Sequence, residues 1–341
     1  MVGWVSDFAA LEPVCRRAPS AHNTQPWVLS PGDASVAVHW DPERALPLSD
    51  PSRRDLFLSL GAFVESCLIA AADAGLPVAA EVQVDEGRCQ VARLVGSGSR
   101  YATPFGRADL EGRRCSRGAF APGPVPGEVL EDARRALGPV VGEASGAASA
   151  PAGVALHAVT CADLAALLLR ADRWMFGTPG SVAELRSWLR LSPRHPRYRL
   201  DGLTYDALDM SRPEAAGLSA ALHPAVYRAL RPLGLPKLLA AMSEGVLSGD
   251  GQVLVLTGPV TSTTTAPAEF TEHGRALLRL WLALARSGVA VHPLSQLIDC
   301  PDTSAAITTL LGLTGPHIPL AVFRAGHPMT APPRSSRLPV G

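Results

Sequence analysis

A chain of 341 residues with 47% hydrophobic and 18% charged side chains has ample apolar material for a packed core, which excludes an intrinsically disordered protein. Its formal charge is +0 and its pI is near 7.1, so no cationic excess points to nucleic acid or to an anionic membrane surface. The six cysteines, at 15, 67, 89, 115, 161 and 300, form no CxxC pair and the histidines are scattered, which argues against a disulfide framework and against a metal centre.

Asp7 and Glu12 stand where a secretory leader is basic and then apolar, and no apolar run reaches the ~18 residues of a membrane span, so a cytoplasmic protein is expected. From Val2 to Arg17 apolar residues recur at helical spacing and predict a helix. It delivers the string APSAHNTQPW, residues 18–27, a turn-rich loop in which Pro19 and Pro26 fix two φ angles around a run of hydrogen-bonding side chains. Val36, Val38 and Trp40 alternate as a strand, and a helix apolar nearly all round runs from about Asp55 to Ala74, to be buried between layers. Strands at 81–84 and 89–94 follow, joined by the turn DEG. After a loop comes GRRCSRGAF at 112–120, then a helix at 126–137 and a low-complexity tract at 138–153 that reads as an exposed linker.

The strand VALHAVT precedes a long helix, CADLAALLLRADRWMF, and the Pro- and Arg-rich stretch from Gly177 to about Pro236 reads as an inserted helical cap. GDG at 249–251 turns the chain into the strand QVLVLTG, a helix spans 268–287, VAVHPLSQLID follows, and IPLAVFRAG is the last strand before a tail of prolines and arginines. The layout predicts two α+β halves, 1–108 and 109–341, the second carrying the cap at about 177–245.

By residue type alone, APSAHNTQPW reads as a helix-to-strand connection, and Arg113, Arg114 and Arg117 are equally a solvated basic turn. No HExxH, GxSxG or P-loop string is present. The loop nevertheless resembles the APSxxNxQPW signature of the FMN-dependent nitroreductase family, and RRCSRGAF is similar to that family's RRSxRxF stretch. The resemblance implies that Pro19, Ser20, Ala21, Asn23 and Gln25 line a flavin pocket, with Ser20 and Asn23 near the isoalloxazine. It implies that Arg113, Arg114 and Arg117 bind the flavin phosphate and pyrimidine edge. Cys115 stands where the pattern has Ser or Thr, so its contact is expected to weaken or pass to Ser116. VAVHPLSQLID resembles the segment that passes the ring, which puts Pro293, Leu294, Ser295 and Gln296 at the flavin, with the Ser295 N–H toward N5. RAG and the basic tail resemble the family ending, with Arg334 and Arg337 returning to the phosphate.

Here the signature loop precedes the arginine stretch, the reverse of an ordinary nitroreductase, and no second loop follows. That order resembles the Acg-like subgroup. It implies a nitroreductase-like α+β fold in which two fused halves make an intramolecular pseudo-dimer, with central mixed or antiparallel sheets, flanking helices and a helical cap. One flavin site per chain follows, in a monomer by internal fusion, with a homodimer as the alternative. Trp174, Phe176, Trp188, Tyr205 and Met210 are candidates to roof the ring. The implied activity is hydride transfer through flavin N5 between NAD(P)H or an organic substrate and a small-molecule acceptor, with no dedicated catalytic acid. The alternatives are a flavin-sequestering protein with a closed cap, a flavin dehydrogenase acting on a specialised metabolite, and an enzyme that consumes its flavin.

Overall fold

Pro13 divides the expected N-terminal helix. In the computed structural model, which describes residues 3–138, 153–247 and 251–340, that segment is two short helices, α1 (Trp4–Ala9) and α2 (Glu12–Cys15). Proline has no N–H to continue the ladder, so the chain restarts with Pro13 in the first turn of α2. The low-complexity tract at 139–152 and residues 249–250 of the GDG turn lie outside the described residues.

β1 (Trp27–Pro31) and β2 (Ser35–Trp40) form a hairpin, α3 (Arg54–Asp73) follows, and β3 (Val78–Asp85) and β4 (Gln90–Gly96) complete an antiparallel sheet in the order β1-β2-β4-β3. In β2, Val36, Val38 and Trp40 are buried and their neighbours half-buried, the period-two pattern of a sheet with one covered face. The chain continues through α4 (Arg107–Gly112), α5 (Gly127–Arg135), β5 (Ala155–Val159) and α6 (Cys161–Gly177). The expected cap consists of α7 (Pro179–Trp188), the two-residue parallel pair β6 (Leu189–Arg190) and β7 (Leu203–Thr204), α8 (Arg212–Ala221), α9 (Pro224–Leu230) and α10 (Leu235–Ala241). Then come β8 (Gln252–Pro259), α11 (Ala266–Arg286), β9 (Ala290–Pro293), α12 (Gln296–Asp299), α13 (Pro301–Leu310) and β10 (His317–Gly326).

The second sheet, β5-β8-β10-β9, is antiparallel throughout and covered on both faces. Its Leu254, Leu256 and Phe323 join the main core with α3, α11 and the first sheet, while Val253, Val255 and Val322 meet α6, α12 and α13 on the other side. Accordingly β8 is buried along six successive residues and does not alternate.

At the centre α3 crosses α11 so closely that a Cβ on Gly61 would sit 1.9 Å from the Thr271 carbonyl oxygen, and one on Gly274 would sit 2.2 Å from that of Leu58. α3 is long and apolar enough to cross a membrane, but nearly all of it is buried inside the fold. Its fully buried Glu65 pairs with Arg275 at 3.0 Å and Arg279 at 3.3 Å and accepts from the Tyr101 hydroxyl at 2.6 Å. The cap has its own apolar centre around Phe176, Val182, Leu222 and Tyr227. It is clamped to the first half by Arg44 on Asp201 at 3.3 Å and by Glu184, which accepts from the Leu48 and Ser49 amides at 3.1 and 2.7 Å.

Candidate functional site

The loop after α2 is held in an unusual backbone shape. His22, Asn23 and Gln25 have φ of 47°, 54° and 55°, three left-handed residues within four, none of them glycine. Such conformers cost about 1 kcal/mol or more each and persist where surrounding bonds over-determine them. Those bonds are visible. Asn23 Nδ2 donates to the Gly202 and Ser336 carbonyls, both at 3.2 Å, and Gln25 Nε2 donates to Leu200 O at 2.9 Å. Gln25 Oε1 accepts from the Leu338 amide at 2.9 Å. The loop is therefore pinned by the cap segment on one side and by the C-terminal tail on the other.

The arginine stretch reaches the same place from the second half. Ser116 N donates to Val291 O at 3.0 Å and Cys115 makes a single parallel bridge to Val291, so the arginine stretch is tied to β9 at this point. The end of β9 and the turn into α12 bring Pro293, Ser295 and Gln296 to the same cavity.

Between these segments lies a cavity of about 450 Å³, within the roughly 300–1,000 Å³ of small-molecule sites. Of the residues expected to hold a cofactor, Pro19, Ser20, Ala21, Asn23, Arg113, Arg114, Cys115, Arg117, Pro293, Ser295, Gln296 and Arg337 line it. Gln25 does not, because its amide is spent tying the loop to Leu200 and Leu338. Leu294 does not either: its side chain packs with Leu164 and Leu168 under the second sheet. Arg334 is exposed outside the wall, close enough to act electrostatically on Arg17, Arg114 and Arg337. Of the roof candidates, Trp174, Phe176 and Met210 line the cavity. Trp188 is turned away under Arg44 and Arg190, 6.0 and 5.7 Å from its ring, and Tyr205 packs on Tyr198.

One end of the cavity is strongly basic. Arg17, Arg113, Arg114 and Arg337 make no ion pair with a carboxylate among the described residues; their donors go mostly to main-chain carbonyls, with Arg337 also donating to Asn23 Oδ1 and Arg113 to Cys115 Sγ. Burial, then the neighbouring Arg334, Arg114 and Arg113, brings Arg17 down to about 10 against a weaker opposing pull from Glu111. Burial, then Arg17 and Arg113, lowers Arg337 well below the guanidinium range. Arg113 also stands 5.8 Å from the Trp281 ring. Arg117 is apart from this group: it donates to Ala207 O at 2.9 Å and acts on His22 and His292. Burial, then Arg117, brings His22 to about 4, and burial, Arg117 and Arg324 hold His292 well below its ordinary value, so both imidazoles are neutral at physiological pH.

Several buried polar atoms on the wall have no partner among the described residues: Arg17 Nε, His22 Nδ1, Trp281 Nε1, His292 Nδ1, Asp172 Oδ2 and Ser181 Oγ. Groups of this kind are rare in a finished interior and call for a complement. None of the six was singled out in the sequence as a pocket residue. Arg17 and His22 had a signal, since one directly precedes the signature loop and the other lies within it; the remaining four come together only through tertiary packing.

No protein-family model matches the chain. Two Mycobacterium tuberculosis proteins with provisional nitroreductase names are similar over part of their length. An NAD(P)H nitroreductase of strain H37Rv is 34% identical over 134 residues, 37% of this chain and 38% of that protein. The NAD(P)H nitroreductase Acg of the same strain is 40% identical over 67 residues, 20% of each. The chain thus spans well under half the length of the curated relatives it matches. Solved structures that align include the FMN-dependent nitroreductase NfnB from Mycobacterium smegmatis in complex with NADPH, at 18% identity, 67% of this chain, 92% of that chain and a TM-score of 0.34. A Bacteroides fragilis nitroreductase with bound FMN aligns at 16% identity, 64% and 86% coverage and a TM-score of 0.33. By sequence, this chain is similar to the NAD(P)H nitroreductases, Acg among them, the same group that its motifs resemble.

Proposed function

We propose that the chain is an FMN-dependent oxidoreductase of the nitroreductase type, using NAD(P)H or an organic substrate as hydride donor and a small molecule as acceptor. The observation that carries this reading is the cluster of Arg17, Arg113, Arg114 and Arg337 at one end of a mostly apolar cavity. Four guanidiniums without carboxylate partners repel one another, and a phosphate group is the ligand that most directly relieves them, because each guanidinium offers it parallel N–H donors. The unpartnered Arg17 Nε and Trp281 Nε1 fit the same conclusion, both being buried donors of residues in the cavity wall.

In this reading Arg17, Arg113, Arg114 and Arg337 hold the phosphate, and Arg117 supplies positive charge beside the ring system. Ser20, Ser295 and Gln296 border the ring, while Asn23 and Gln25 keep the loop in shape. When bound, FMN supplies the two-electron chemistry, accepting and delivering hydride. The protein's part is to orient, to exclude water beneath Trp174, Phe176 and Met210, and to leave neutral His22 and His292 without competing charge. The first half brings the loop and α3, the second brings the arginines and α11, so one chain completes one site as an internal pseudo-dimer and is expected to be monomeric.

The test is the visible spectrum of freshly purified protein followed by stopped-flow mixing with NADPH. Stoichiometric flavin absorbance that bleaches rapidly supports the oxidoreductase. Flavin that resists NADPH and other reductant substrates leaves a sequestering protein, and colourless protein that does not take up added FMN overturns the reading. Replacing Arg113 and Arg117 together by Ala is expected to abolish flavin retention with the circular dichroism spectrum unchanged.

A further inference from the structure

The cap end of the cavity has the opposite electrostatic demand. Asp172, on α6, is 1% exposed and belongs to the cavity wall; its Oδ1 accepts from Gln296 Nε2 at 3.3 Å, and its buried Oδ2 has no hydrogen-bond partner among the described residues. The other acids bordering the cavity are satisfied. Asp55 and Asp299 each take Arg54 at 2.8 Å, and Asp50 accepts from the Leu56 amide at 2.9 Å. Asp172 has no such cation. Apart from burial itself, the groups that bear on it are the Ser243 hydroxyl and the Gln296 amide, so none of the five cavity arginines reaches it. Burial lifts its carboxyl to about 6, against the smaller opposing effect of those two, which leaves it mostly ionised at neutral pH.

Around it the wall is apolar. Met175 and Phe176 lie three and four residues on along α6, on the same side of the helix, and Leu203, Met210 and Leu239 close the cap end. Ser181, on α7, adds a second buried oxygen with no partner on the same wall. A buried carboxylate oxygen in apolar surroundings is costly unless a donor meets it, and a cationic donor meets it best.

We propose that the cap end takes an apolar substrate bearing a cationic nitrogen, with Asp172 as its counter-ion. The assignment rests on the flavin reading only in reserving the basic end for phosphate; it deepens that reading by naming the substrate class. An anionic acceptor is disfavoured at this end, and a neutral aromatic one finds the walls but leaves Oδ2 unmet.

Isothermal titration of the purified full chain, with whatever flavin it retains, against 4-phenylbutylammonium, 4-phenylbutanol and 4-phenylbutyrate tests this without turnover. The expected result is that the ammonium probe binds at least ten-fold more tightly than the alcohol, with the carboxylate weakest. Asp172→Asn is expected to bring the ammonium and alcohol within two-fold of each other while its melting temperature stays near that of the parent or above it. Equal binding of the three probes by the parent chain, no binding of any, or an ammonium preference that survives in Asp172→Asn overturns the proposal. Should Asp172→Asn fail to fold, the ranking of the three probes on the parent chain still decides. The probes do not depend on redox chemistry, so an ammonium preference in protein that never binds FMN would sink the flavin reading and leave this one standing.

Discussion

Arg337 and Asn23 are 314 positions apart in sequence, and the Arg337 Nη1 donates to the Asn23 Oδ1 at 2.9 Å. The same guanidinium donates to the carbonyls of Arg16, Arg17 and Ala18, so the tail closes the basic end of the cavity against the loop. Arg337→Ala is therefore expected to weaken FMN binding by about ten- to a hundred-fold, the loss of one charge-assisted phosphate contact plus a loosened loop. Fluorescence titration of flavin-free protein measures it. An unchanged Kd would show that the tail is only a surface strap.

The crowded guanidiniums predict a specific anion effect. In flavin-free protein, inorganic phosphate binding to the folded state raises stability by mass action, about 2.7 kcal/mol at a hundred times its Kd. Melting temperature should climb with sodium phosphate and much less with sodium chloride at equal ionic strength. The increment should shrink in Arg17→Ala and in Arg113→Ala. Equal effects of the two salts would mean general screening and no anion site.

The parts of this site that could be read in the sequence are those where chemistry is concentrated in a short string. Arg113, Arg114 and Arg117 lie within five residues, and Pro19 to Gln25 is a compact run, so both could be matched to the family's motifs, and it was that resemblance that assigned them to one cavity. Asp172, Trp281 and His292 lie in a helix, a helix and a strand whose periodicity reads as ordinary core; only the packing of α6, α11 and β9 around the cavity gives them a polar atom to spare. Asn23 and Gln25 were legible as important and illegible in role, because their partners at 200, 202, 336 and 338 are remote in sequence. The single helix expected at 2–17 fails for a local reason: apolar spacing outweighed Pro13, which starts a new helix. α13 carries Thr303, Thr308 and Thr309 and no strong apolar stripe, so pattern alone did not disclose it.

Gln25 tests the pinning directly. It is fully buried, and Gln25→Ala leaves Leu200 O and Leu338 N without their partner, a loss of about 1–3 kcal/mol. Urea unfolding should show the shift, and amide exchange at Leu338 should quicken by more than the global change requires. Uniform acceleration across the chain would mean that the bonds stabilise the fold without holding the tail.

Gly61→Ala probes the crossing of the two central helices. The added methyl would sit 1.9 Å from Thr271 O, a main-chain atom that can retreat only if α11 moves. Overpacking of this kind costs about 1–3 kcal/mol or more, and because Leu58, Ser59 and Ala62 of α3 and Leu277 and Trp281 of α11 line the cavity, separation of the two helices should also disturb it. Lower melting temperature together with weaker FMN binding is expected. Normal stability would indicate that the helices part freely.

Asp172 supplies a pH dependence whose sign follows from its burial. Its carboxyl is raised from an ordinary value near 3.8 to about 6, so between those values the folded chain holds a proton that the unfolded chain has released. Stability from this group is complete below about pH 4, declines as pH rises toward 6, and stays at the lower level above it. Asp172→Asn removes the titration. The variant should be more stable than the parent at pH 7–8 by about 2–3 kcal/mol at most, with the gap closing below about pH 4. Asp50, also raised to about 6, titrates in both proteins and cancels in the difference. Urea unfolding of the two proteins at matched pH from 4 to 8 gives the curve. A gap independent of pH would show that Asp172 is paired in solution, and addition of 4-phenylbutylammonium should narrow the gap at pH 7 by stabilising the parent more than the variant.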